Sequence, residues 1–432
     1  MKKTDVIIIG AGAAGLMAAS LLSKSGKKVI VLEARNRIGG RIHTIMGDFS
    51  EVTELGAEFV HGNLPVTLQL LNEAGIGTTG VDFEMWHYRN NEFEQSYEFI
   101  QGFEVFLERL NMLEHDMPIA HFMEQYFSGD AHALMRTQIE NYVAGYDTAD
   151  SDIASAFALR NEWNHENEDE QHRITGGYGV LMNYLASVCT DAGNEIFLNA
   201  VARTINHTNN GVEIVTTTGD LYTAEKLIVA LPLGVLQASE NEEGAVLFNP
   251  PLPVQTQAFR NIGFGSVIKI LLEFDTLFWE NHIIHSRESD LSTMGFLFTD
   301  ETIPTYWTQS PSRRPLLTGW LGGPPAFAIA TMSNDDILDV TLKSLSAVFG
   351  IEIVKGNLTA CEVANWHTEP FTRGSYAYDI VESPQARKTL QQPVNNTIYF
   401  AGEYLYEGAA MGTVEAALTS GRDVAERLLN EN

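Results

Sequence analysis

Cysteine, basic side chains and long apolar runs are all scarce in this chain. Two cysteines in 432 residues, Cys189 and Cys361, rule out a disulfide framework and read as reduced core thiols of a cytoplasmic protein. Lys and Arg together number 27 against 56 Asp and Glu, for a net charge of −29. Nucleic acid or an anionic membrane would need a basic face, so neither is an expected partner; the acidic excess suits a cationic small molecule or plain solubility. No stretch reaches the ~18 uninterrupted apolar residues of a membrane span. Met1-Lys2-Lys3 and the apolar run behind it superficially mimic a signal peptide, but Asp5 interrupts the transition and no small-residue cleavage site follows, so no leader is expected. Neither a Gly-x-Ser-x-Gly elbow nor a P-loop is present, which removes the sequence case for a hydrolase or a kinase. Metal ligation has little support. His165 lies in the acidic run 162–170, which reads as a solvated loop, and His282 and His285 lack a Cys or carboxylate at ligand spacing, so no metal is expected.

What is present suffices for a large core. Apolar residues make up 44% and charged residues 19%, and the length predicts two or three domains or one composite α/β unit. Residues 5–9 (Asp-Val-Ile-Ile-Ile) have the character of a buried parallel strand. Gly10-Ala11-Gly12-Ala13-Ala14-Gly15 follows, then a helical stretch over 16–25 and a strand over 29–32 closed by Glu33, which completes a βαβ unit. In that setting Gly10 allows a tight turn, Gly12 lets a pyrophosphate approach the backbone and Gly15 lets helix and strand pack closely. The helix N-terminus then offers N–H groups to phosphate. Glu33 stands where a carboxylate accepts from a ribose diol, which disfavours the 2′-phosphate of NADP. Ala34-Arg35-Asn36-Arg37-Ile38-Gly39-Gly40-Arg41 forms a second phosphate-approach loop, with Arg41 as a charged clamp.

Further strands are expected at 227–231, 267–274 and 397–401, and helices at 65–74, 103–113, 179–192, 335–349 and 413–429. The Pro-, Gly- and Ser-rich stretch 310–325 reads as a loop around 316–321. Near the C-terminus, Ile398-Tyr399-Phe400-Ala401-Gly402-Glu403 is a strand ending in Gly-Glu, followed by a helix from about Thr413. The N-terminus of that helix could stabilise negative charge on an isoalloxazine ring, which favours FAD over NAD.

With these pieces in place, the chain resembles the flavin-containing amine oxidases, a family that includes monoamine and polyamine oxidases and the histone demethylases of that fold. Stretches 5–44, 56–62, 266–274 around Lys269, 366–376 and 398–429 carry the resemblance. It implies an α/β fold with a Rossmann-type FAD-binding domain of the amine oxidase type, built from 1–78, 174–258 and 378–432. An α+β substrate domain, 79–173 and 259–377, is interleaved. The resemblance places Gly10, Gly12, Ala14, Gly15, Glu33, Ala34, Arg35, Gly39, Gly40, Arg41, Gly56, Ala57, Glu58, Phe59, Val201, Trp366, Gly402, Glu403, Thr413 and Val414 at the cofactor. Of these, Glu33 would hold the adenosine ribose, Arg35 and Arg41 would lie along the diphosphate, Val201 would meet the adenine through its backbone, and Thr413 and Val414 would sit at the pyrimidine edge of the flavin.

At the reacting centre the resemblance implies that Lys269 is bonded through water to flavin N5. Ser375 falls where monoamine oxidases carry a flavin-linked cysteine; a serine cannot form that thioether, so the FAD is expected to be non-covalent. Glu58, Tyr376 and Ala409 would border the substrate, with Tyr376 as one aromatic wall. The second wall should lie just before Met411, where the chain has Ala409-Ala410, and Tyr404 or Tyr406 are candidates to compensate. Gly56-Ala57-Glu58-Phe59-Val60-His61-Gly62 resembles a motif of animal polyamine oxidases whose histidine faces the substrate, which implies that role for His61. Amino-acid oxidases use an arginine hereabouts, and none lies between Arg41 and Arg89.

The expected protein is a monomeric or homodimeric FAD-dependent amine oxidase. A neutral amine, by preference a di- or polyamine, would lose a hydride equivalent to flavin N5, the imine would be hydrolysed, and O2 would be reduced to hydrogen peroxide. Aromatic monoamine or L-amino acid oxidase activity, a carotenoid- or porphyrinogen-type desaturase and a non-enzymatic flavoprotein scaffold are the alternatives. Peroxide release on adding amines separates them.

Overall fold

The β-branched run that opens the chain forms a central strand of a parallel sheet. The computed structural model describes residues 2–81, 84–95, 100–165, 171–284 and 287–431. Strand Lys2–Ile9 lies between Val29–Leu32 and Leu221–Val229, with all three parallel; Glu195–Phe197 adds outside the former and Ile398–Phe400 beside the end of the latter. Register brings Ile9, Leu32, Val229 and Phe400 into line, so the segments that follow these strands emerge along one edge. A crevice at the carboxyl ends of parallel strands is where such sheets bind ligands. Beyond Leu221–Val229 the sheet turns antiparallel through Gly211–Thr216 and Ala202–Thr208.

Both faces of the parallel strands are buried. Val6 and Ile8 pack against Leu16 and Leu22 of helix Ala13–Lys24 and Leu418 of helix Val414–Asn430, while Ile7 and Ile9 face Ile205, Ile214 and Phe259. The two helices on the first face meet closely: a Cβ at Gly421 would lie 2.2 Å from the Ala14 carbonyl oxygen.

A second sheet centres on Val267–Phe274, all eight residues of which are buried between Leu316–Gly322 and Leu358–Asn365. It continues through Thr305–Trp307, Met294–Thr299, Glu84–Arg89 and Glu92–Gln95. The stretch read as a loop around 316–321 is therefore corrected: Leu316–Gly322 is an interior strand with Leu317 opposite Leu272. The flanking Pro315, Gly322, Gly323, Pro324 and Pro325 gave the stretch its loop-like composition, whereas its fate is decided by burial of Leu316, Leu317 and Leu321. Four helices, Phe103–Asn111, Ile119–Tyr126, Ala133–Gly145 and Ala156–His165, pack around Phe106, Phe122 and Trp163. Only the first was expected.

Two side chains differ from expectation. Cys189 is a core thiol, but Cys361 is exposed on strand Leu358–Asn365, whose outer side pairs with nothing among the described residues. His165 belongs to the last turn of a helix, with its imidazole against the Asn161 carbonyl, not to a loop. Residues 166–170 of the acidic run, the His282 side chain and His285 lie outside the described residues. No described helix is long and apolar enough to cross a membrane.

Candidate active site

The strand-end crevice opens into a cavity of about 2080 Å³. That is at least twice the ~300–1,000 Å³ of an ordinary small-ligand pocket, large enough for a dinucleotide together with a separate reactant. Every residue expected at the cofactor or the substrate lines it except Gly15. Gly15 acts inside the protein: a Cβ there would lie 1.9 Å from the Gly10 carbonyl oxygen, so it sets the approach of helix to strand.

At one end, Gly10 has φ +103° and its absent Cβ would lie 2.5 Å from the Ala230 carbonyl oxygen. Gly12 is different. Its φ of −79° suits any residue, and a Cβ would meet nothing nearer than the Gly39 oxygen at 3.9 Å. The fold itself does not demand a glycine at 12; the space that a Cβ would fill belongs to the cavity. Gly12 also caps helix Ala13–Lys24 with no side-chain acceptor, which leaves the helix N-terminus for an anion. The Glu33 carboxylate, 3% exposed, accepts from the N–H groups of Ala11 at 2.8 Å and Arg35 at 2.9 Å. Each oxygen keeps a further lone pair for a hydroxyl. The Arg35 guanidinium is drawn to Glu369 and the Thr372 hydroxyl. Arg41 bonds the Ser375 carbonyl and pairs with buried Glu403 at 2.8 Å. The Val201 carbonyl accepts from Thr217.

At the other end, strand Val267–Phe274 carries Lys269, 1% exposed, to the wall formed by residues 56–61. Its Nζ donates to the Gly56 carbonyl at 3.0 Å and to Glu58 Oε2 at 2.8 Å, and lies 5.4 Å from the Trp307 ring centre. The strand is central and the ammonium is enclosed, so Lys269 is no snorkelling edge residue. Glu58 accepts in addition from Trp307 Nε1 at 3.1 Å, Arg173 Nε at 3.0 Å and Gln309 Nε2 at 3.4 Å. Four donors occupy both oxygens of a side chain that was expected at the substrate. Burial alone would push its carboxyl up, but the charges and hydrogen bonds of Lys269 and Arg173 hold it at about 2.

An arginine does reach this wall, though not from residues 41–89. Arg173, on strand Gln171–Ile174, stacks on Phe59 at 4.6 Å, pairs with Glu58 and donates from its two terminal nitrogens to the carbonyls of Ser310 and Thr308. Its charge is paired with Glu58, and it lines the smaller cavity beyond this wall and not the large one. His61, facing Tyr146, is shifted below the ordinary imidazole range by burial, with the Gln171 side chain opposing the shift, and is neutral at pH 7.

The Tyr376 hydroxyl donates to the Tyr146 carbonyl; burial, with Asp147 and Glu162 nearby, holds this phenol protonated. Ala409 and Ala410 line the cavity and supply no second ring. Of the two compensating tyrosines, Tyr406 reaches the cavity, whereas Tyr404 is wholly buried in the core against Phe259. The Ser375 and Thr148 hydroxyls bond each other at 2.6 Å. Thr413 caps helix Val414–Asn430 by accepting from Ala416 N–H. Glu415, which the sequence reading missed, is buried and accepts from the Val66 and Thr67 N–H groups, so it caps helix Pro65–Ala74. Arg173, Trp307 and Tyr146 were missed as well, because each arrives from a distant segment with no local motif.

A model of the flavin containing amine oxidoreductases matches residues 13–429. The chain belongs to this family. Among its relatives, polyamine oxidase 4 of Oryza sativa subsp. japonica is 27% identical over 98% of this chain and 89% of its own length. Lysine-specific histone demethylase 2 of Homo sapiens is 26% identical over 92% of this chain but only 50% of its own. Among solved structures, wild-type putrescine oxidase bound to putrescine superposes with a TM-score of 0.79 at 23% identity, covering 99% of both chains. Cyclohexylamine oxidase from Brevibacterium oxydans IH-35A does so with a TM-score of 0.79 at 18% identity, again over 99% of both.

As an amine oxidoreductase of this family, the protein uses a flavin. The cavity suits one: the Cβ space at Gly12, the helix N-terminus behind it and the buried Glu33 carboxylate lie together at one end.

Proposed function

We propose that this protein is an FAD-dependent oxidase of small di- or polyamines. The observation that carries the reading is the state of the wall at 56–61. It presents a neutral imidazole at His61, while Arg173 is paired with Glu58 and does not line the large cavity. Such a wall accepts a hydrogen bond from an amine, and its cations, Lys269 and Arg173, are both already paired with Glu58 and not offered to an amino-acid carboxylate. Ala409 and Ala410 leave room for a flexible chain. Carboxylates of Glu104, Asp147, Glu162 and Asp300 line the same cavity and would attract the other nitrogens of a multivalent cation.

Segments 1–78, 174–258 and 378–432 would form the FAD-binding domain, and 79–173 and 259–377 the substrate domain. Glu33 would hold the ribose, and the helix at Gly12 with Arg41 would hold the diphosphate. Arg35, tied to Glu369, would brace that loop from behind. Ser375 leaves the cofactor non-covalent. The bound flavin supplies a two-electron acceptor for the C–N bond and returns the electrons to O2, which yields hydrogen peroxide. His61 would keep the reacting nitrogen as the free base, and Tyr376 would orient the amine through its ring face. Lys269 would place a fixed positive charge beside the flavin, held by Gly56 and Glu58. Its enclosure with Trp307 excludes bulk water there.

The test is peroxide formation with putrescine, spermidine, N-acetylspermine, tyramine and leucine. A di- or polyamine should lead in kcat/KM. A lead of more than about tenfold for tyramine or leucine, a difference of ~1.4 kcal/mol in barrier, would refute the substrate assignment.

A further inference from the structure

The large cavity is not the only opening onto Lys269's partner. A second cavity of about 440 Å³ runs from exposed Met46 and Val52 to fully buried Leu271 and Thr318. Among the described residues, Glu58 alone lines both cavities. It thus turns one side to Lys269 and the reacting end, the other to a separate path from solvent.

That path holds two polar atoms with no hydrogen-bond partner among the described residues. Glu54 is 9% exposed; its Oε1 accepts from the Thr44 hydroxyl at 2.8 Å and from Tyr178 N–H at 2.6 Å, while Oε2 has no partner among the described residues. The Thr318 hydroxyl, on a side chain with no exposure, has none either. Gly177 fixes the first carboxylate oxygen: it has φ +83°, and a Cβ there would lie 2.5 Å from Oε1. Buried polar atoms left open by protein are ordinarily met by water. At ~30 Å³ per molecule the cavity accommodates on the order of ten waters.

We propose that the second cavity holds a chain of water that carries protons from solvent to the Lys269–Glu58 pair, and that Glu54 is its proton-exchanging, positioning residue, acting on the reacting centre through Glu58. Reduction of O2 to H2O2 consumes two electrons and two protons. The reduced cofactor provides both electrons and one proton, and the protein must deliver the other. A route through the substrate cavity would be blocked whenever amine or product fills it, whereas this route stays open. The inference rests on the oxidase reading only in taking O2 as the electron acceptor.

Glu54 is suited to the task. Burial raises its carboxyl to about 7, against the hydrogen bonds of Thr44 and Tyr178 and the charge of Lys269, with Glu58 adding to the rise. It therefore carries a proton below neutrality and returns one readily. The charged groups around it are Lys269 and Glu58 at the inner end, Arg173 and Glu51 on the cavity wall, and the Glu273–Arg314 pair, which reaches the neighbouring Thr53 hydroxyl.

The test uses flavin-loaded protein reduced by light in the absence of any amine, then mixed with O2 from about pH 5 to about pH 9. Wild-type reoxidation should slow as pH rises through about 7, and Glu54→Gln should be slower by about tenfold or more at low pH with a flat profile. Thr318→Val removes only an unbonded hydroxyl and should slow the low-pH rate without moving the midpoint. In flavin-free protein, thermal unfolding reads the same group independently. A carboxyl raised in the folded state stabilises below its unfolded pKa and loses that stability as pH rises through about 7, so the wild type should show this decline and Glu54→Gln should lack it. Identical reoxidation profiles for wild type and Glu54→Gln overturn the proposal, as does a Glu54→Gln melting curve that keeps the wild-type decline. Since no amine is used, a protein that oxidised no amine would leave this test intact.

Discussion

Lys269 and Glu58 form an ion pair 2.8 Å long with only 1% and 7% of their side chains exposed. Breaking such a pair leaves a buried charge uncompensated and ordinarily costs about 3–5 kcal/mol, but here Arg173 stands 3.0 Å from the other Glu58 oxygen and remains as a partner. Lys269→Met should therefore fold and retain flavin, with a stability loss below that range. Turnover should fall about tenfold or more, at least ~1.4 kcal/mol of barrier. Stopped-flow rates of flavin reduction and reoxidation equal to wild type would contradict the role given to Lys269.

The glycines at 12 and 15 make opposite predictions. Gly15→Ala would put a Cβ 1.9 Å from the Gly10 oxygen, so helix and strand must separate, and the apoprotein should lose more than about 2 kcal/mol. Gly12→Ala meets nothing nearer than 3.9 Å, so the apoprotein should change by less than about 0.5 kcal/mol while its affinity for FAD falls steeply. Thermal melts of the two apoproteins and flavin titrations check both halves. A Gly12→Ala protein that binds FAD as the wild type does would remove the phosphate loop from this position.

Much of the cofactor end could be read in the sequence because its parts are contiguous. The strand, the glycine turn, the helix and Glu33 fall within one βαβ unit whose local rules are strong. Strand Val267–Phe274 and helix Pro65–Ala74 were likewise legible from apolar patterning. The reacting end was harder. Lys269 could be placed on a strand, but its partners come from residues 56, 58 and 307, which only the tertiary fold brings together. Strand Leu316–Gly322 was hidden by its proline- and glycine-rich flanks, and the neutralised Arg173 looked absent because it enters from a strand far along the chain.

Ser375 predicts the chemistry of the flavin linkage. Its hydroxyl is bonded to Thr148 at 2.6 Å and has no sulfur to offer C8 of an isoalloxazine. Purified holoprotein should be yellow, and acid precipitation should release the colour into the supernatant. A yellow pellet would show a covalent bond elsewhere.

The acid limb of stability should report Glu58. Burial works against its ionised form, but Lys269 and Arg173 depress its carboxyl from 4.5 to about 2 in the folded protein. A depressed carboxyl contributes stability above its unfolded pKa and loses it as pH falls toward the folded value. The pH-dependent part of the Glu58 contribution should therefore vanish between about pH 4.5 and pH 2, and Glu58→Gln should flatten the melting curve across that window while lowering it at pH 7. An unchanged slope would place the acid transition on other carboxylates.

The most direct measurement is anaerobic mixing of the flavin-loaded protein with putrescine or spermidine while following the flavin absorbance. The account predicts that the di- or polyamine bleaches the flavin in a fast phase, that tyramine and leucine do so at least about tenfold more slowly, and that His61→Ala slows the polyamine phase. A flavin that stays oxidised with every di- and polyamine, or one bleached fastest by tyramine or leucine, would contradict it.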